Sequence, residues 1–197
     1  MQQKRRLQVV ALEKEKKMNI CLYGAANDNI DRKYIEATFS LCKKLGEHGH
    51  ALVFGGGGVS VMGAAARGFQ AGGGKVTGVV PRFFKDQGIE DLYTKCDKYI
   101  YTYTLAERKS IMEDNAEAFI IAPGGIGTYD EFFQVLTLKH LGVHNKPIAV
   151  YNIDGFYDTM QNMMLNADRE GFLRSHTLEC YRICTTEDEV TSYLRNK

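Results

Sequence analysis

The residues best suited to chemistry form a glycine-rich segment, Pro123-Gly124-Gly125-Ile126-Gly127-Thr128. This segment lies between a short apolar run and a helical pattern, so backbone N–H groups at a helix N-terminus would be open to a phosphate. Thr128 would add a hydroxyl, and the helix dipole would favour the negative charge. A tight strand-to-helix connection with a threonine cap explains the same residues without a ligand. The residues favour the phosphate site and leave this alternative open.

Charged residues accompany the segment on both sides. Asp130 and Glu131 follow the glycines within one helical turn, and Arg108 and Lys109 begin the preceding helical pattern. A carboxylate facing a phosphate pocket needs a cation, and an arginine that reaches the same pocket would supply it. A solvated charged surface is the ordinary alternative for a run such as Glu107-Arg108-Lys109.

Two further glycine turns follow predicted strands. Gly24 comes directly after the first strand, and four consecutive glycines, Gly55–Gly58, follow the second. Local turn geometry does not require four glycines, so we expect another group to lie against the backbone at Gly56 and Gly57. A flexible lid is the alternative.

The common nucleotide-cofactor motifs are absent from the sequence. No register of glycines satisfies the dinucleotide pattern G-x-G-x-x-G. Gly58 and Gly63 have the Walker spacing, but Ala64 and Ala65 replace the required lysine and hydroxyl residue. His140 and His144 have the spacing of a metal pair without an evident third ligand. We therefore expect no NAD, no ATP chemistry, no metal and no organic cofactor.

Apolar runs alternate with helical patterns and predict the elements that position these residues. Strands are predicted at 20–23, 51–54, 76–80, 99–103, 118–122, 147–151 and 181–184. Helices are predicted at 34–47, 59–71, 105–115, 128–141, 156–169 and 187–195. Short, continuous apolar strands separated by helices indicate a doubly wound parallel α/β sheet, Rossmann-like, with helices on both faces. Ligands of such folds bind outside the carboxyl ends of the strands.

Composition predicts one soluble domain, residues 18–197, after a charged tail, residues 1–17. The tail contributes +4 to a net charge of +1, so the domain carries −3 and is not expected to bind nucleic acid. No apolar run approaches the ~20 residues that would span a membrane. Five scattered cysteines, an odd number, indicate a reducing, cytoplasmic location.

The segment Pro123–Glu131 resembles the PGGxGTxxE signature of the Lonely Guy family. Members are cytokinin riboside 5′-monophosphate phosphoribohydrolases, and many bacterial ones have been labelled lysine decarboxylases. The resemblance covers nearly everything after Met18. It also includes Gly55–Gly57, Met62-Gly63, Glu107-Arg108-Lys109, Leu141–His144 with Lys146-Pro147, and Asn152–Tyr157.

The resemblance implies a site and an activity. Arg108 and Glu131 match the family's catalytic arginine and glutamate. The implied substrate-binding residues are Gly124, Gly125, Ile126, Gly127, Thr128, Asp130, Lys109, Gly56, Gly57 and Gly24. The implied reaction is hydrolysis of the N-glycosidic bond of a nucleoside 5′-monophosphate, without a cofactor, in a homodimer whose sites lie near the interface.

Three stretches depart from the family pattern. Ala25-Ala26 stand where serines are usual, Leu105-Ala106 where a methionine-histidine pair is usual, and Ser60-Val61 where Gly-Leu is usual. The first two stretches are expected near the nucleotide, so AMP and a cytokinin nucleotide both remain candidate substrates. A non-catalytic nucleotide sensor is the alternative function. A pyridoxal-phosphate decarboxylase is disfavoured because no lysine has a suitable context for a Schiff base.

Overall fold

The computed structural model describes residues 16–88, 91–174 and 176–196. Its strands are β1 (Asn19–Tyr23), β2 (Ala51–Phe54), β3 (Val76–Pro81), β4 (Lys98–Thr102), β5 (Ala118–Ile121), β6 (Ile148–Tyr151) and β7 (Arg182–Cys184). They form one parallel sheet in the order β4-β3-β2-β1-β5-β6-β7. Each predicted strand is present within one residue of its predicted bounds, and the doubly wound fold is confirmed.

Among the described residues, the α-helices also follow the predicted pattern, with one addition. They are α1 (Arg32–Glu47), α2 (Ser60–Ala71), α3 (Arg82–Gln87), α4 (Leu105–Asn115), α5 (Ile126–His140), α6 (Asp158–Arg169) and α7 (Glu187–Arg195). The sequence did not predict α3, because six residues are too few to show a helical period. Pro81, the last residue of β3, is its N-cap, and Gly88, with φ 60°, is its C-cap.

The start of α5 corrects a prediction about Thr128. The helix begins at Ile126, two residues earlier than predicted, and Gly125 occupies the N-cap position. Thr128 therefore lies inside the first turn and does not cap the helix. The threonine-capped connection, which was the alternative to a phosphate site, is wrong in this respect.

Helices cover both faces of the sheet, as the alternation along β1 illustrates. Ile20 and Leu22 belong to one buried cluster, which includes side chains of α1, α2 and α7. Cys21 and Tyr23 point the other way, into a second cluster with side chains of α4, α5 and α6. The central strands are therefore buried on both faces, which is why β5 and β6 are continuous apolar runs.

The strand order reverses between β1 and β5. From β1 the chain builds outward through β2, β3 and β4, and it then returns to place β5 on the other side of β1. The helices that follow these two strands, α1 and α5, pack on opposite faces of the sheet, and open α/β sheets bind their ligands in the crevice at such a reversal. Gly24 follows β1 and the segment Ala122–Gly125 follows β5, so two of the three glycine turns meet at this crevice.

The predicted domain boundary lies close to the first described residues. Residues 1–15 of the predicted tail are outside the described part of the chain, so the boundary stays a prediction. Lys16 forms a surface ion pair with Glu117 at 3.0 Å, and β1 begins three residues later. Among the described residues, no helix is long and apolar enough to cross a membrane.

Candidate active site

The turn between β5 and α5 leaves its backbone open to a ligand. Gly125 caps α5 without a side-chain hydrogen bond, so the first N–H groups of the helix have no partner from a capping side chain. A Cβ added at Gly125 or Gly127 would meet nothing within 4 Å, and Ile126 is 88% exposed. These residues, with Thr128, form an open N-terminal turn suited to an anion.

Gly124 lies on the inner side of the same turn. A Cβ there would lie 2.1 Å from the hydroxyl oxygen of Thr128 and 3.0 Å from the backbone nitrogen of Ala25. The N–H of Ala25 donates to the carbonyl of Pro123 at 3.0 Å, which ties the loop after β1 to the turn after β5. Glycine at position 124 is therefore required by close packing within the turn.

Arg108 enters the crevice from the first turns of α4 and is held rigidly. Its Nε donates to the carbonyl of Val79 at 3.2 Å, and its Nη2 donates to the carbonyl of Gly55 at 3.1 Å. The ring of Phe84 lies 5.4 Å from the guanidinium carbon. Because Arg108 is only 9% exposed, these carbonyls and the aromatic ring replace most of its hydration.

Glu131 faces Arg108 from α5, one turn after the glycines. Its Oε1 lies 3.9 Å from Nη1 of Arg108, and the two side chains are 13% and 11% exposed. Removing either partner would leave a nearly buried charge, which is costly. The structure therefore brings the two predicted catalytic residues together as an ion pair beside the open turn.

The pair and the turn line one cleft of about 360 Å³. Its lining consists of Gly24, Ala25, Ala26, Asn27, Met62, Phe84, Arg108, Gly125, Gly127, Thr128 and Glu131. This volume is in the range of small-molecule sites. Gly24, two glycines of the turn, Thr128 and both predicted catalytic residues thus share one cavity.

Lys109 and Asp130 lie outside this lining. Nζ of Lys109 is 2.9 Å from a carboxylate oxygen of Asp130, and the Asp130 side chain is 60% exposed. This second ion pair joins α4 to α5 next to the Arg108–Glu131 pair. Direct substrate contact by these two residues stays a prediction.

Gly56 and Gly57 also lie outside the cleft lining, and this chain itself occupies the space beside them. Gly56 has φ +89°, its carbonyl accepts the N–H of Tyr93 at 2.8 Å, and Gly57 forms an antiparallel bridge with Leu92. The expected group against the backbone is therefore residues 91–93 and, at Gly55, the guanidinium of Arg108. Substrate contact by Gly56 and Gly57 stays a prediction.

Three cleft residues were missed as site residues. Phe84 lies on α3, which has no detectable sequence period, and Met62 is brought in by the first turn of α2. Asn27 could have been suspected from its place just after β1. Its carboxamide oxygen accepts the N–H of Asn29 at 3.0 Å, so its Nδ2 group is the part suited to donate to a ligand.

The stretches that depart from the family pattern lie in different places. Ala25 and Ala26 line the cleft, as expected, whereas Leu105 and Ala106 are exposed and outside its lining. Ser60 has φ 52°, a left-handed conformation that favours glycine, the residue usual at this position.

The two histidines with metal-pair spacing have other partners. Both ring nitrogens of His144 lie within 3.2 Å of backbone groups, the carbonyl of Val135 and the N–H of Lys146. His140 stacks on His176 with ring centroids 4.7 Å apart. In the described ranges, no group of three or more His, Cys, Asp or Glu side chains is placed to hold a metal ion.

Comparison with known proteins decides the family. A family model described as "possible lysine decarboxylase" matches residues 62–194. The chain is 35% identical over 156 residues to the cytokinin riboside 5′-monophosphate phosphoribohydrolase LOG2 of Arabidopsis thaliana, covering 79% of this chain and 72% of the relative. The chain belongs to the Lonely Guy family. Recognition of the family from the signature around Glu131 is confirmed, and its members are named as phosphoribohydrolases, a class of N-glycosyl hydrolases.

A bacterial relative supports this assignment, and a solved structure supports the fold. The cytokinin riboside 5′-monophosphate phosphoribohydrolase of Mycobacterium tuberculosis is 35% identical over 160 residues, 81% of this chain and 84% of the relative. A molybdenum cofactor binding protein from Rippkaea orientalis superposes with a TM-score of 0.69 over 92% of this chain and 97% of its own. At 18% identity, this second likeness shows the fold alone.

Proposed function

We propose that this protein hydrolyses the N-glycosidic bond of a nucleoside 5′-monophosphate, releasing the free base and ribose 5-phosphate. The observation that carries the proposal is the nearly buried Arg108–Glu131 pair in the same cleft as the open N-terminal turn of α5. Relatives named for this activity support it.

The turn at Gly125–Thr128 binds the 5′-phosphate in this proposal. Its backbone N–H groups and the helix dipole attract a dianion without a metal ion. The binding energy fixes the ribose beside Glu131 and can be used to orient the scissile bond. A nucleoside without the phosphate lacks this anchor and is expected to react far more slowly.

Glu131 acts on the ribose. Cleavage gives the sugar ring positive charge in the transition state, as in glycoside hydrolysis, and a fixed carboxylate stabilises that charge. Water adds its hydroxyl to C1′ as the C1′–N bond breaks, and the departing base nitrogen takes a proton. Glu131 is also placed to accept the proton of the attacking water.

Arg108 fixes the carboxylate. Carbonyls of Val79 and Gly55 hold two of its nitrogens, so Nη1 stays directed at Glu131. A cation would oppose the charge on the ribosyl ring, so we assign Arg108 to orienting Glu131 and hydrogen-bonding the departing base.

The substrate is proposed to be AMP or a cytokinin riboside 5′-monophosphate. The test incubates the purified protein with each nucleotide and with adenosine, and measures free base and ribose 5-phosphate by chromatography. We expect base release from a nucleotide, little from adenosine, and no loss of activity with EDTA. Nucleotide binding without base release would identify the alternative, a sensor with the same pocket.

We also propose a cytoplasmic location and a homodimer. All five cysteines are unpaired thiols, as is usual in a reducing compartment. Ile126, in the turn, is 88% exposed, and Tyr103 and Leu105, at the start of α4, are 70% and 48% exposed. Exposed apolar side chains beside a cleft are typical of an interaction surface.

A further inference from the structure

The segment Asn152–Tyr157 is shared with the family, but nothing above gives it a role. It follows β6 as a single 3₁₀ turn, with Asp154 and Gly155 at positive φ. The side chain of Asn152 closes the turn, because its Oδ1 accepts the N–H of Tyr157 at 2.7 Å and its Nδ2 donates to Asp158 at 2.7 Å. This turn directs the Tyr157 side chain inward, where it is fully buried.

The hydroxyl of Tyr157 ends at the phosphate turn. It donates to the carbonyl of Ala122 at 2.7 Å, one residue beyond the end of β5. The next carbonyl, that of Pro123, accepts the N–H of Ala25 at 3.0 Å. Two consecutive carbonyls at the entry to the turn are thus fixed, one by a side chain and one by the loop after β1.

Tyr157 also contacts the far side of the turn. Its ring lies edge-on to the ring of Tyr129, with centroids 5.9 Å apart and an interplanar angle of 87°. Tyr129 is in the first turn of α5, directly after Thr128. One buried side chain therefore touches the chain both before and after Gly124–Thr128.

Such a support matters because glycine peptides reorient easily. Gly124, Gly125 and Gly127 lack the side-chain restraints that hold other residues in one backbone conformation. An anion site needs its N–H groups to point at one place before the ligand arrives, or ordering the loop reduces affinity. Burial raises the pKa of the Tyr157 phenol, so its hydroxyl remains a proton donor at neutral pH.

We propose that Tyr157 is a positioning residue that fixes the peptides entering the phosphate turn and thereby sets affinity for the 5′-phosphate. This inference rests on the proposed function only in taking the turn as the phosphate site. It does not require that the protein turn over any nucleotide.

The test is binding of ribose 5-phosphate, measured by calorimetry, to the wild-type chain, Tyr157→Phe and Tyr181→Phe. The third protein is a matched control, because the Tyr181 hydroxyl is similarly buried and donates to Gln161 at 2.7 Å, away from the turn. Melting temperatures are measured for all three proteins.

We expect Tyr157→Phe to raise the Kd for ribose 5-phosphate about tenfold, equivalent to about 1.4 kcal/mol. Tyr181→Phe should stay within about twofold, while both lower the melting temperature, since each loses one buried hydrogen bond. Unchanged affinity in Tyr157→Phe, or equal weakening in both variants, overturns the inference.

The two proposals fail in different ways. If ribose 5-phosphate does not bind the wild-type chain, the turn is not a phosphate site, and both the proposed function and this inference are wrong. If it binds the wild type and Tyr157→Phe equally, only the role of Tyr157 is wrong. If Tyr157→Phe does not fold, the role of the turn that holds Tyr157 is tested in Asn152→Ala instead. The readout is the NMR signals of the backbone amides of Gly124, Gly125 and Gly127. We expect these signals to shift in that variant and to respond more weakly to ribose 5-phosphate, and unchanged signals count against the inference.

Discussion

Arg108 can reach the cleft only because position 55 has no side chain. An ideal Cβ on Gly55 would lie 1.8 Å from Nη2 of Arg108, in the place where the guanidinium meets the carbonyl of that residue. The glycine after β2 therefore serves the arginine of α4, although 53 residues separate them in sequence. The first glycine of the run Gly55–Gly58 is therefore explained by the packing of a charged side chain.

Gly55→Ala should consequently damage activity more than stability. The methyl group must displace the guanidinium, which loses its carbonyl partner and its fixed distance to Glu131. Because a misplacement of about 1 Å at a reacting centre can cost ~10²-fold, we expect kcat to fall by about that factor. Steady-state kinetics on the best nucleotide and a thermal melt check this, and wild-type kcat would contradict it.

Glu131→Gln should strongly reduce turnover while preserving nucleotide binding. The substitution keeps the size and one acceptor oxygen but removes the charge that is proposed to stabilise the ribosyl cation, so kcat should fall by about 10²–10³. In the proposed function, ground-state binding rests on the neutral N–H groups at Gly125–Thr128, which this substitution does not change. The measurements are base release and calorimetric AMP binding, each for the wild type and for Glu131→Gln. Normal kinetics with lower stability would make Glu131 a structural residue.

At the scale of elements, the strands were predictable and the contacts between loops were not. β5 and β6 are apolar at every position and buried on both faces, so local sequence is sufficient to identify them. Helix α3 is too short to show a period, and its Phe84 reaches the cleft only through the tertiary fold.

The candidate site also combines features that local sequence predicts with features that depend on tertiary packing. The open turn at Gly125–Thr128 follows from local sequence, because glycines between a strand and a helix suffice to predict it. The meeting of Arg108 with Glu131 was expected from family resemblance and depends on the packing of α4 beside α5. The contact between Gly57 and Leu92 joins distant segments, and no local pattern encodes it.

The entry to α2 contains backbone strain that a substitution should relieve. Ser60 has φ 52°, which costs a non-glycine residue about 1–2 kcal/mol, and its buried hydroxyl has no hydrogen-bond partner among the described residues. Ser60→Gly removes both penalties and keeps the N–H donated to Asp28 at 2.9 Å. Part of this gain in stability, about 0.5–1 kcal/mol, is lost because glycine gives the unfolded chain more conformational freedom.

We therefore expect Ser60→Gly to stabilise the fold by about 1 kcal/mol, raising Tm by roughly 2–4 °C for a chain of this size. Differential scanning calorimetry measures it directly. A lower Tm would mean that the Ser60 side chain makes a favourable contact that outweighs the strain.

For the whole molecule, the two faces of the sheet differ in what they expose. The described part of α1, α2 and α7 contributes no large, exposed apolar side chain. Those that are exposed lie in or beside β4, α4, α5 and α6: Tyr101, Tyr103, Leu105, Ile126, Leu141, Val143, Phe156, Met163, Leu165 and Phe172. A proposed homodimer would therefore use the face that carries α4 and α5.

Light scattering should accordingly give about twice the 22.1 kDa mass of one chain. Leu105→Asp tests the proposed face, because it places a charge among exposed apolar side chains and leaves folding intact, since an acidic residue suits the first turn of a helix. Ser40→Asp is the matched control, because Ser40 is an exposed residue of α1 and the same charge is added on the opposite face of the sheet. We expect Leu105→Asp to be monomeric and Ser40→Asp to remain dimeric. A monomeric wild type would refute the homodimer, and a dimeric Leu105→Asp would place the interface away from the start of α4.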